Sequence, residues 1–168
     1  MRKLLITFLL LFLIKPFFAQ KDSAHFFLKK SIYLEFLGNS PTTFYSFNYE
    51  HYIFSIKKNH LVIRLGLSYL WGSFKIYNAP ILLNYVMGEK NNHFEMGAGI
   101  AIEHDTRTIS RQPQTYVFPT FSIGYRYQKP TGKFIFRAGF TPTINPETYN
   151  FANIIYFLRV GTSFGYNF

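Results

Sequence analysis

Cysteine is absent from all 168 residues. That absence removes disulfides, thiolate metal sites and a cysteine-linked lipid anchor together. Acidic residues are scarce, 8 against 18 Lys and Arg, for a formal net charge of +10. A basic chain raises nucleic acid as a partner, but a nucleic-acid surface gathers its cations on one face or stripe. Here the cations stand singly between apolar residues, so no nucleic-acid partner is expected. No segment past the first 19 residues keeps a helical period, and no apolar run reaches the about 20 residues of a membrane-crossing helix. The five histidines (His25, His51, His60, His93 and His104) do not fall at metal-ligand spacing, so neither metal nor cofactor is expected.

Aromatic residues are what the chain has in excess, at 21%. In water that content is an aggregation hazard; at membrane interfaces, rings of Phe, Tyr and Trp are in place. The first residues agree with export. Arg2 and Lys3 precede an apolar run from Leu4 to Ile14, Lys15-Pro16 breaks it, and Ala19 offers a small residue for cleavage. We therefore expect a signal peptide over 1–19, a short periplasmic leader over 20–29, and one domain over 30–168.

Within that domain, alternating segments of about ten residues recur between turn signals, as in barrel strands. They are expected at 30–38, 43–55, 60–71, 79–88, 93–104, 115–128, 133–141 and 154–168. Short polar connections (Lys57-Lys58-Asn59, Gly88 to Asn92, Lys129 to Gly132) follow strands two, four and six. Longer ones (Gly72 to Asn78, Glu103 to Gln114, Pro142 to Asn153) follow three, five and seven. Short periplasmic turns opposite long extracellular loops are the outer-membrane pattern.

Side chains on a strand alternate between faces. In the third segment Ile63, Leu65, Leu67 and Tyr69 oppose Arg64, Gly66 and Ser68; in the fifth, Phe94, Met96, Ala98, Ile100 and Ile102 oppose Glu95, Gly97, Gly99 and Glu103. Summed over strands, the polar face carries Glu35, Glu50, Glu95 and Glu103 against Arg64, Arg126, Arg137 and Arg159. A water-soluble β-domain would not turn eight charges toward its core, because unpaired buried charge costs several kcal/mol or more. A barrel with a polar interior and lipid outside accepts them. The expected fold is all-β: an eight-stranded antiparallel up-and-down transmembrane barrel. Its lumen is expected to be filled by side chains and held by Glu–Arg pairs. A soluble lipocalin-like binder, also eight-stranded, is the poorer fit because its cavity would be apolar.

The last segment, Leu158 to Phe168, alternates strictly, with Phe164, Tyr166 and Phe168 on the apolar face. It resembles the closing strand and assembly signal of a bacterial outer-membrane barrel. Tyr125 to Pro142 looks like a hairpin of small outer-membrane β-barrel proteins of Bacteroidetes, a porin-like, OmpA-barrel-like group. Ala79 to Tyr85 with His93 to Gly99 is similar to the same group's fourth and fifth strands. The resemblance implies an outer-membrane location, outer-membrane lipid and lipopolysaccharide as surroundings, and insertion by the barrel-assembly machinery. It implies no activity.

Chemistry is confined to loops and strand ends. Glu103-His104-Asp105-Thr106-Arg107, with Ser110 and Arg111, is the densest polar cluster. A His near carboxylates and a Ser could in principle form an acyl-transfer triad, so the alternative reading is a lipid A-modifying, deacylase-like outer-membrane enzyme using His104. Yet Glu103 and Asp105 share a face that His104 does not, so catalysis is not expected. Lys75, Arg107 and Arg111 could pair with lipopolysaccharide phosphates. Trp71, Tyr69 and Tyr116 fit an outer aromatic belt, and Tyr49, Tyr127, Tyr166 and Phe168 an inner one. The expectation is a monomeric outer-membrane barrel with a structural or interaction role.

Overall fold

Alternation of apolar and polar residues gives each segment one greasy and one polar face, and eight such segments closed on themselves leave no unpaired strand edge. The computed structural model describes residues 29–39, 42–70, 76–106, 113–142 and 158–168. The expected signal peptide, and the leader up to residue 28, lie outside them. The strands are β1 (Lys30–Asn39), β2 (Thr42–Ile56), β3 (Asn59–Leu70), β4 (Ile76–Glu89), β5 (Asn92–Asp105), β6 (Gln114–Gln128), β7 (Phe134–Pro142) and β8 (Leu158–Asn167). Each pairs antiparallel with the next, and β1 pairs with β8, so the sheet is a closed barrel in sequence order. All eight expected strands are present; the expected start of the eighth, over 154–157, lies outside the described residues.

The turn side of the barrel carries tight connections, at 57–58, 90–91 and 129–133. On the loop side the connections run over 40–41, 71–75, 106–113 and 143–157. Lys57 and Lys90 take positive φ, 56° and 60°, which the two-residue hairpin turns demand of their first central residue.

Strand four departs most from expectation. It begins at Ile76 rather than at 79, so part of the expected loop over 72–78 is strand. Asn78-Ala79-Pro80 looks like a turn signal, because Pro cannot donate a ladder hydrogen bond. The barrel accommodates it locally. Pairing of β3 with β4 lapses between Leu65↔Ile81 and Ser68↔Asn78, while Pro80 still pairs with Ala101 of β5. Gly66, across from Pro80, leaves the ring its room: a Cβ there would come 2.8 Å from the proline Cγ. In β2, a bulge between Tyr52 and Phe54 shifts the register near the turn, which a period-2 reading misses.

Burial is inverted relative to a water-soluble domain. Large apolar side chains point outward and stay exposed, from Ile32 at 36% to Leu67 at 68%, while the buried set is mostly polar or charged. The buried apolar contact of Leu37 with Ile76 sits at the loop-side end of the interior.

Candidate functional site: the charged lumen

Strand parity alone sends Glu35 of β1, Glu50 of β2, Arg64 of β3, Glu95 and Glu103 of β5, Arg126 of β6, Arg137 of β7 and Arg159 of β8 inward. All eight are at most 8% exposed. They form two groups and a separate pair.

Arg64 binds the carboxylate of Glu35, and its Nε donates to Asn48 Oδ1 at 2.9 Å. Asn48 in turn donates to Glu35 and to Ser46. Glu50 is the register partner of Arg64 across β2 and β3, yet the Arg64 guanidinium reaches past it to β1.

The second group is a four-charge box. Arg126 and Arg137 stand directly opposite each other across β6 and β7, an arrangement that like charges disfavour. Glutamates from elsewhere on the barrel resolve it. Arg126 lies 2.7 Å from Glu50 and 3.4 Å from Glu95. Arg137 binds Glu95 through Nε and Nη2 and lies 3.4 Å from Glu50. Tyr33 ties the two groups together. Its hydroxyl donates to Glu50 at 2.8 Å and accepts from Arg137. The Arg137 and Arg64 guanidinium carbons lie 4.6 and 5.7 Å from its ring centre, within cation–π range.

Glu103 and Arg159 form the separate pair, 3.6 Å apart, with Asn78 donating to Glu103 at 3.2 Å. Neutral amides complete the lining. Asn84 donates to Glu95 at 2.6 Å, Ser122 donates to Asn84, and Gln128 accepts from Arg126 Nε at 2.8 Å. Charge-assisted bonds of this kind are the strong class. A cavity of ≈ 20 Å³ remains among Glu35, Arg64, Glu95, Ser122, Arg137 and the β6–β7–β8 wall. That is room for about one water molecule, which needs roughly 10–15 Å³ on this measure.

Tyr33, Asn48, Asn84 and Gln128 are members of this network that a search for charges alone passes over. Their parity is the available signal, since each sits two residues from a predicted inward charge or on the same face.

The remaining candidates lie elsewhere. His104 is half-exposed, with Nδ1 2.9 Å from Thr115 Oγ1, while neighbouring Glu103 turns into the lumen. The wall of the barrel separates them. Lys75, Arg107, Ser110, Arg111 and Trp71 lie outside the described residues. Among the described residues no cluster of His, Asp and Glu could hold a metal ion. Phe164, Tyr166 and Phe168 all face outward and are exposed, and Phe164 packs on Phe136 with ring centres 5.1 Å apart. Tyrosines gather at two levels of the outer face. Tyr49, Tyr85, Tyr125, Tyr127 and Tyr166 lie toward the turns; Tyr45, Tyr69, Tyr77 and Tyr116 lie toward the loops.

No known family's sequence profile matches the chain, and neither does any curated protein sequence. Solved structures do share its fold. The N-terminal β-barrel domain of Pseudomonas aeruginosa OprF superposes with a TM-score of 0.67 at 15% identity, over 84% of this chain and 98% of that one. The Yersinia pestis outer membrane protein Ail, in a phospholipid bilayer nanodisc, superposes with a TM-score of 0.53 at 8% identity, over 84% and 99%. At these identities the likeness is one of fold.

Proposed function

We propose that this chain is an integral outer-membrane barrel, monomeric and non-catalytic, with a lumen locked by its own side chains. The observation that carries the reading is the inversion of burial: eight charges enclosed, and rows of Leu, Ile, Phe and Val exposed outside. An exposed apolar surface of that extent is unstable in water and is what a hydrocarbon slab selects.

Dimensions support it. On β4 the outward residues run from Tyr77 to Tyr85 with Ala79, Ile81 and Leu83 between them. The eight steps from Tyr77 to Tyr85 cover about 27 Å, or about 21 Å along the barrel axis at a tilt of about 40°. That approaches the roughly 25 Å apolar band of outer-membrane barrels. In this reading Phe164, Tyr166 and Phe168 serve as the signal read by the barrel-assembly machinery. Lys75, Arg107 and Arg111 meet lipopolysaccharide phosphates on the loop side.

A lumen filled by paired charges carries no through-path. Reconstituted in a planar bilayer, the chain is expected to insert without giving stable conductance steps. Steady open channels in the unmodified protein would contradict the locked lumen, and failure to insert would contradict the membrane reading itself.

A further inference from the structure

The two kinds of cation are sorted by place. The four arginines among the described residues are all inside the lumen. Every described lysine is exposed and lies at the turn-side end: Lys29 and Lys30 at the entry to β1, and Lys57, Lys58, Lys90, Lys129 and Lys133 in the three turns. Among the described residues, the one acidic position at that end is Glu89. The result is a collar of positive charge around one rim.

Two features show that this collar is more than ordinary solubilising charge. First, Lys57 and Lys90 hold their turns at φ 56° and 60°, a region that L side chains avoid and that Asn or Gly enters far more readily. An asparagine stands within two residues of each, at Asn59 and Asn91, yet lysine occupies the position. Second, the collar borders the apolar surface directly. Phe54, Ile56, Phe134 and Phe168 are 45–52% exposed beside it. The Lys133 ammonium lies 5.7 Å from the Tyr166 ring centre. A hydrogen bond to the Tyr166 oxygen also raises the Lys133 pKa. Lysine stems lie along apolar surface while the ammonium reaches the polar layer.

We propose that this turn-side lysine collar binds the headgroup phosphates of anionic phospholipids in the leaflet it meets, and so selects the lipids that surround the barrel. The inference rests on the membrane reading above. A lysine near a charged bilayer surface contributes enough for about a fivefold preference at a single headgroup contact.

The test uses the full chain reconstituted in phosphatidylcholine bilayers. Spin-labelled phosphatidylglycerol and spin-labelled phosphatidylcholine then report how much of each lipid the barrel immobilises. Phosphatidylglycerol is expected to be favoured about fivefold at low salt, falling as salt screens the charges. The variant Lys57→Asn/Lys58→Gln/Lys90→Asn/Lys129→Gln/Lys133→Gln, which leaves only Lys29 and Lys30 of the collar, is expected to remove most of that preference. A milder variant, Lys57→Asn/Lys90→Asn, places asparagine where the turn favours it, so folding is kept and the preference falls in part. Equal immobilisation of both lipids by the unmodified barrel overturns the proposal. So does a preference that survives undiminished in both lysine variants. In each of those outcomes immobilised lipid is still seen, so the membrane reading stands. No immobilised lipid of either kind would overturn both.

Discussion

Arg64→Ala is expected to destabilise the barrel by about 3–5 kcal/mol, the range for stranding a buried charge by removing its partner. Glu35 has Arg64 as its ion-pair partner at 1% and 8% side-chain exposure, and the remaining donor, Asn48, is a neutral amide at 3.4 Å. The same substitution also takes the Nε donor from Asn48. Arg159→Ala should cost much less, because the Glu103 pair is longer at 3.6 Å, more exposed, and Glu103 keeps Asn78. Arg126→Ala and Arg137→Ala should fall between, since Glu50 and Glu95 each contact both arginines. Urea unfolding of the refolded barrel in lipid measures the series. Adding Glu35→Gln to Arg64→Met removes both charges, and much of the loss should return. Equal stability across all four arginine variants would contradict the network described above.

Ile81→Arg tests the outside as Arg64→Ala tests the inside. Ile81 is 38% exposed and lies midway between Tyr77 and Tyr85, paired with Leu65 on one side and Ile100 on the other. At the middle of a bilayer an arginine on the lipid face costs about 2–4 kcal/mol. On a water-facing surface the same change would be neutral or would improve solubility. The sign of the effect therefore separates lipid from water as the outer solvent. A loss of about 2–4 kcal/mol in bilayer-reconstituted protein is expected. Tyr45→Arg or Tyr77→Arg, at the level of the loop-side tyrosines, should cost about 0–1 kcal/mol.

The inside-out architecture was legible from parity alone. Arg64 between Ile63 and Leu65, or Glu95 between Phe94 and Met96, marks an inward charge without any knowledge of neighbours. Who pairs with whom was not legible. Glu50 faces Arg64 in register, yet Arg64 binds Glu35, and Glu50 is held by Arg126 and Arg137 from beyond the neighbouring strands. Such contacts cross the lumen and depend on strand tilt and stagger, which period-2 patterns do not encode. Tyr33 was hidden for a related reason: an aromatic residue inside a polar lumen looks like an exception until its hydroxyl is seen between Glu50 and Arg137. The early start of β4 was masked by Pro80, whose place depends on Gly66 in the adjacent strand. The lysine collar was present in the sequence as separate turns and became one feature only when the closed sheet brought those turns to the same rim.

The most direct test of the inside-out barrel is electrophoretic. Cells expressing the chain are fractionated, and the outer-membrane fraction is run on an SDS gel with and without boiling. A closed barrel that resists detergent should be found in that fraction and migrate faster unboiled, shifting to its full apparent mass on heating. A soluble protein with the same mobility in both lanes would contradict the account and restore the lipocalin-like alternative.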